Sequence, residues 1–215
     1  MTKRSVRGDM MRQAIAREAA RLMIEHGHED YGFAKRKAAE RFGVTDLAVL
    51  PKNTEIEEAL AEHQRLFGAE EHASELTEMR SVALEAMRLL EEFEPRLVGP
   101  LLSGTATAHN DITLHLFADT PETVAVRLID RGIRHEFAER RYRMQRDEVE
   151  VFPAVRFAAG SHEVDATIFP KDGIRQAPPG PVDGKPMRRA TVTEVQALIE
   201  RDDEGVRPLH IRERV

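Results

Sequence analysis

The residues from Arg96 to Ala118 read RLVGPLLSGTATAHNDITLHLFA, and the rest of the chain organises around them. The apolar run Leu97–Leu102 predicts a buried strand, and the small residues from Ser103 to Asn110 predict a turn. Asp111–Leu116 predicts a second strand. Alternate residues of a strand share a face, so Asp111, Thr113 and His115 stand in one row while Ile112, Leu114 and Leu116 point into a core. A carboxylate, a hydroxyl and an imidazole thus stand in a row beside a turn able to offer backbone N–H groups to an anion.

Upstream the periodicity is helical. Met11, Ile15, Ala19, Leu22 and Met23 mark a first helix from about Asp9 to Gly27, and Tyr31 to Gly43 carries a second. Thr54 and Glu57 have the spacing of a capping box for a third helix, bearing Ile56, Leu60, Gln64 and Phe67 and ended by Gly68. A fourth begins near Ser74, with Leu76, Met79, Ala83, Met87 and Leu90 on one face, and Pro95 ends it.

Downstream, Thr120-Pro121 opens a short helix that closes at Gly132. Strands are expected at Ile133–Met144, Val149–Phe157 and Glu163–Phe169, with Ala159-Gly160-Ser161 turning between the last two. The stretch 170–189 is rich in Pro and Gly and predicts an extended loop. Thr191 and Glu194 cap a final helix. The expected class is therefore α+β: a helical N-terminal region, 1–73, followed by a domain, 74–215, with a mixed β-sheet flanked by helices.

A chain of 215 residues buries a substantial core. It has no cysteine, which excludes disulfides, thiolate catalysis and Cys-ligated zinc. No apolar run approaches the ~20 residues of a spanning helix, so a cytoplasmic location with no membrane partner is expected. The net charge of −6, with the acidic excess on the helical half, argues against broad coating of nucleic acid. A local basic cluster, Lys35-Arg36-Lys37, leaves open a helix-turn-helix reading, against which the following segment carries Glu55, Glu57, Glu58 and Glu62.

Gly104-Thr105, a spacer, Asp111-Ile112-Thr113 on a strand and Asp165 on a later strand together resemble the nucleotidyltransferase superfamily of the DNA polymerase β type. The signature of that family is Gly-Ser, a short spacer, Asp-hydrophobic-Asp, and a third carboxylate further on. The resemblance spans roughly Ser74–Phe169. It implies Asp111 and Asp165 as catalytic carboxylates and, with His115, as metal ligands. It implies Gly104 and Thr105 as a phosphate cradle, and Thr113, Arg141 and Arg143 as further contacts to a nucleoside triphosphate or another phosphorylated ligand. Mg²⁺ or Mn²⁺ is the implied cofactor, since such a cation neutralises the triphosphate and aligns the acceptor.

The sequence departs from the family at two positions. Thr105 for Ser keeps the hydroxyl, whereas Thr113 for the second Asp removes a charge and a strong ligand from the place where metals would be bridged. Three readings follow: a transferase with altered metal preference, a nucleotide or phosphate binder that has lost catalysis, and a solvated strand face. The second is the favoured expectation. The competing class is a non-enzymatic DNA- or RNA-binding or regulatory protein acting through the helical region.

Overall fold

The structure is a computed structural model, and it describes residues 3–26, 30–66, 69–144 and 148–206. Four helices come first: α1 (Lys3–His26), α2 (Tyr31–Arg41), α3 (Asn53–Leu66) and α4 (Ala69–Leu89). Gly27, Phe67 and Gly68, expected at helix ends, lie outside the described residues. The first three helices bury one core of Ile15, Ala19, Leu22, Ala34, Ala38, Ile56 and Leu60. Half of the buried residues of this core are alanines, whose small side chains suit close helix packing.

The remainder is a five-stranded sheet with helices packed on one face. Its strands are β1 (Arg96–Leu97), β2 (Ile112–Phe117), β3 (His135–Arg143), β4 (Val149–Ala159) and β5 (His162–Phe169), in the order β1-β2-β5-β4-β3. β2 and β5 run parallel, and every other neighbouring pair is antiparallel. Ile112, Leu114 and Leu116 of β2, with Val164, Ala166 and Ile168 of β5, form the inward face. They pack on α4, on α6 (Pro121–Asp130) and on α7 (Val192–Val206). This is the expected α+β arrangement, a helical region followed by a mixed sheet with flanking helices.

The run Leu97–Leu102 is not one strand. β1 stops after Leu97, and Pro100–Ser103 forms a single helical turn, α5. Pro100 has no N–H for a central ladder and its ring fixes a helix-like φ. Gly99 precedes it at φ 75, ψ −157, a conformation that side chains with a Cβ resist. The chain therefore swings out of the sheet at Gly99, and Leu101 and Leu102 are both buried within the turn.

A second correction concerns α3. Glu55 accepts from the Lys52 backbone N–H at 2.7 Å, so the helix is capped two residues before the place where Thr54 and Glu57 would cap it. Glu57 instead leaves the helix to meet the sheet domain. At the other end of the chain the capping box holds: the Thr191 N–H donates to Glu194 at 2.8 Å, and the Glu194 N–H donates to the Thr191 hydroxyl.

Arg80 ties α4, α5 and α7 together. Its side chain is 6% exposed; it pairs with Asp202 of α7 at 2.6 Å and donates to the Leu101 carbonyl at 3.1 Å. Arg80→Ala is expected to cost about 3 kcal/mol, the low end for a broken buried pair, because Asp202 keeps some access to water. Urea unfolding midpoints of the variant and wild type check this.

Candidate functional site

The site is built on the sheet face opposite the helices. β2 and β5 register Thr113 beside Asp165 and His115 beside Thr167, and β4 places Arg156 beside Asp165. Residues in register share a face, so Asp111, Thr113 and Asp165 converge as the strand parity predicts. Both carboxylates already have cationic partners. Arg140 of β3 donates to Asp165, and Arg156 bonds Asp111 at 3.2 Å. Arg156 also lies 3.9 Å from Asp165 and 4.0 Å from Glu163.

Deeper on the same face His115 is fully buried, with both ring nitrogens engaged. Arg189 donates its Nε–H to Nδ1 at 3.0 Å, so Nδ1 is the acceptor and the proton sits on Nε2. Nε2 then donates to the Tyr142 hydroxyl at 3.1 Å, and Tyr142 donates onward to Thr167 at 3.1 Å. Arg189 stacks over Phe117 and Phe169, about 5 Å from each ring. Burial, reinforced by Arg189, pushes the His115 pKa down to about 3. As a metal ligand His115 is therefore corrected: neither nitrogen is free, and the ring belongs to a closed hydrogen-bonded chain.

Two further expectations change. Arg141 and Arg143 lie on the opposite face of β3 from Arg140 and Tyr142, one residue out of phase with the Asp165 face. They are exposed and do not join the site. The backbone N–H groups of Gly104 and Thr105 both donate to the Pro100 carbonyl, at 2.8 and 3.0 Å, and so are unavailable as a phosphate cradle. Their carbonyls are used as well, by His72 and Gln64.

Next to Thr113 a cleft of about 600 Å³ opens between the helical region and the sheet domain. Gly99, Pro100, Leu102 and Thr113 form one side, while Met23, Ile24, Tyr31 and Leu60 form the helical wall. The loop from Gly180 to Arg188 forms the rim. Its walls are mainly apolar. Glu57 supplies a carboxylate that accepts from Tyr31, from Thr105 at 2.9 Å and from Ser103 at 3.4 Å, all neutral hydroxyls. Lys185 and Arg188 are exposed cations at the mouth. The volume falls in the range of roughly 300–1,000 Å³ that small-molecule sites occupy.

Of the residues singled out in the sequence, the structure brings together Asp111, Thr113 and Asp165, with Glu163 on the same face. Arg140, Arg156 and Glu57 are additional. The parity of β3 sets Arg140 on the face opposite Arg141 and Arg143, but only the pairing with β4 and β5 turns that face to Asp165, and nothing local signals that Glu57 would cross to Thr105. Arg189 sits in the Pro-rich loop, where no periodicity marks it.

Among the described residues no group of three or more His, Asp or Glu side chains is placed to hold a metal ion. The arginines on Asp111 and Asp165, the neutral Thr113 and the engaged His115 do not fit a divalent-metal centre. No family model matches the chain, and neither the curated proteins nor the solved structures contain a match. No helix among the described residues is long and apolar enough to cross a membrane.

Because folding lowers the His115 pKa from 6.5 to about 3, the unfolded chain takes up this proton first as the pH falls. Stability tied to His115 is complete above pH ~6.5 and is lost down to pH ~3, with a limiting slope of about 1.4 kcal/mol per pH unit. His115→Gln is expected to remove one proton's worth of this dependence between pH 6.5 and 5. Denaturant unfolding of both proteins across that window measures it.

Proposed function

We propose that the chain binds a nucleotide or another phosphorylated small molecule with an apolar body, and that it does not carry out metal-dependent nucleotidyl transfer. It would be a divergent, catalytically impaired relative of the nucleotidyltransferase superfamily. One observation carries the reading. Thr113, standing where that family has its second metal-binding Asp, borders a cleft of nucleotide size, while the carboxylates beside it are neutralised by arginines.

The apolar walls suit a base or similar planar body, which gains about 25 cal/mol per Å² of apolar surface removed from water. Arg188 at the mouth suits an anionic group by its paired N–H donors, while Lys185 beside it is already paired with Asp183 at 3.4 Å. The helical region supplies a wall rather than a nucleic-acid surface. Lys35 donates to the Pro51 carbonyl at 3.0 Å and Lys37 pairs with Glu40, so the basic cluster is largely used within the fold.

Calorimetric titration of ATP, CTP, GTP and UTP, in EDTA and in Mg²⁺, tests this. At least one is expected to bind equally well in both conditions. Arg188→Glu should weaken it tenfold or more, about 1.4 kcal/mol. Ser103→Trp, which fills the cleft from an exposed position, should abolish it. Absence of binding by all four, or Mg²⁺-dependent pyrophosphate release that requires Asp111, would sink the proposal.

A further inference from the structure

Glu57 is partly buried and lines the cleft from α3. Among the described residues its hydrogen-bond partners are hydroxyls alone, and no cation pairs with it. Tyr31 donates to Oε2, and Thr105 donates to Oε1 at 2.9 Å. Ser103 has a single proton and lies closer to the Pro100 carbonyl, at 3.2 Å, than to Oε1 of Glu57, at 3.4 Å. A carboxylate offers about four acceptor positions, shared equally between its oxygens. A lone pair on Oε1 and another on Oε2 therefore remain open, side by side, in a cleft whose walls are mainly apolar. A carboxylate in such surroundings is normally matched by a cation or by a pair of N–H donors.

Taking the cleft as a nucleotide site, on which this assignment rests, we infer that Glu57 determines its specificity and that the ligand is a guanine nucleotide. Guanine is the one common base with two neighbouring donors, N1–H and the 2-amino group, and these match the two oxygens of a carboxylate as a guanidinium does. Adenine and cytosine present one donor beside a ring-nitrogen acceptor, and uracil presents one donor between two carbonyls. Each of them sets at least one lone pair against the carboxylate. Such a mismatch costs more than a missing contact, because the groups are shut away from water. A simple guanidinium cation offers the same pair of donors, but Arg188 at the mouth calls for an anionic tail, which a nucleotide has and that cation lacks. Met23, Leu60 and Leu102 supply apolar surface for the ring system.

Calorimetric titration of the full chain in EDTA with GTP, inosine triphosphate and ATP tests this. Inosine triphosphate lacks only the 2-amino group of GTP, so it removes one of the two hydrogen bonds without altering the protein. GTP is expected to bind about tenfold more tightly than inosine triphosphate, the loss typical of one hydrogen bond to a charged group, and ATP no more tightly than inosine triphosphate. Glu57→Gln keeps the shape and one acceptor but turns the other into a donor, and it should erase the preference for GTP over inosine triphosphate. The melting temperature of that variant shows whether the links to Tyr31 and Thr105 hold; if it does not fold, the ratio measured on wild type decides alone. Equal affinity of wild type for the two, or a GTP preference that survives in folded Glu57→Gln, would overturn the assignment while leaving a nucleotide in the cleft. So would tighter binding of ATP, CTP or UTP than of GTP. Binding of no nucleotide at all removes the nucleotide reading and the guanine preference together, so the two failures are told apart.

Discussion

The parallel pairing of β2 with β5, which sets Thr113 beside Asp165, is the constraint on which the site depends. Side chains alternate with a period of two, so a slip of one residue would send Asp165 into the helix-facing core and bring Ile168 out. Two apolar rows, Ile112/Leu114/Leu116 and Val164/Ala166/Ile168, hold the register by packing against α4, α6 and α7. Burial of one face thus positions the polar groups of the other.

Those polar groups are charged and partly desolvated, and the strands on the far side of β5 answer them. β4 brings Arg156 and β3 brings Arg140, each in the phase that faces Asp165. Further along the same face His115, Tyr142, Thr167 and Arg189 close a hydrogen-bonded chain with no free nitrogen on the imidazole. The face is thereby divided into a rigid buried part and a cluster of acids with arginine counter-ions. A polar network that satisfies most of its own members is stable without a ligand, and this separates the sheet face from the open cleft beside it.

The cleft owes its existence to the turn at Gly99-Pro100. By leaving the sheet there, the chain places α5 and Thr105 against the helical region. Glu57 and Gln64 fasten α3 to that segment, and Asn53 reaches the Pro-rich loop through the Pro181 carbonyl. The helical region, the swung-out turn and the loop then enclose a common volume. The two cores remain distinct, but the ligand-sized space belongs to both.

Most of this architecture was legible in the residues. Helical periodicity up to Leu90, alternation in β2 and β5, the capping box at Thr191–Glu194 and the turn at Gly160 are local signals, each tied to backbone geometry over a few residues. The sharing of a face by Asp111, Thr113 and Asp165 followed from strand parity once β2 and β5 were neighbours. What escaped was set by partners distant in sequence. Pro100 broke the apparent strand because the missing N–H mattered only within a paired ladder, and Glu57 served a hydroxyl 48 residues away rather than its own helix end. The choice of Arg140 over Arg141 depended on a one-residue phase that charge pattern alone does not give. Local propensity and periodicity thus determined which elements form and which residues share a face. Only the tertiary structure decided which cation meets which carboxylate, because that choice is made by long-range packing and desolvation.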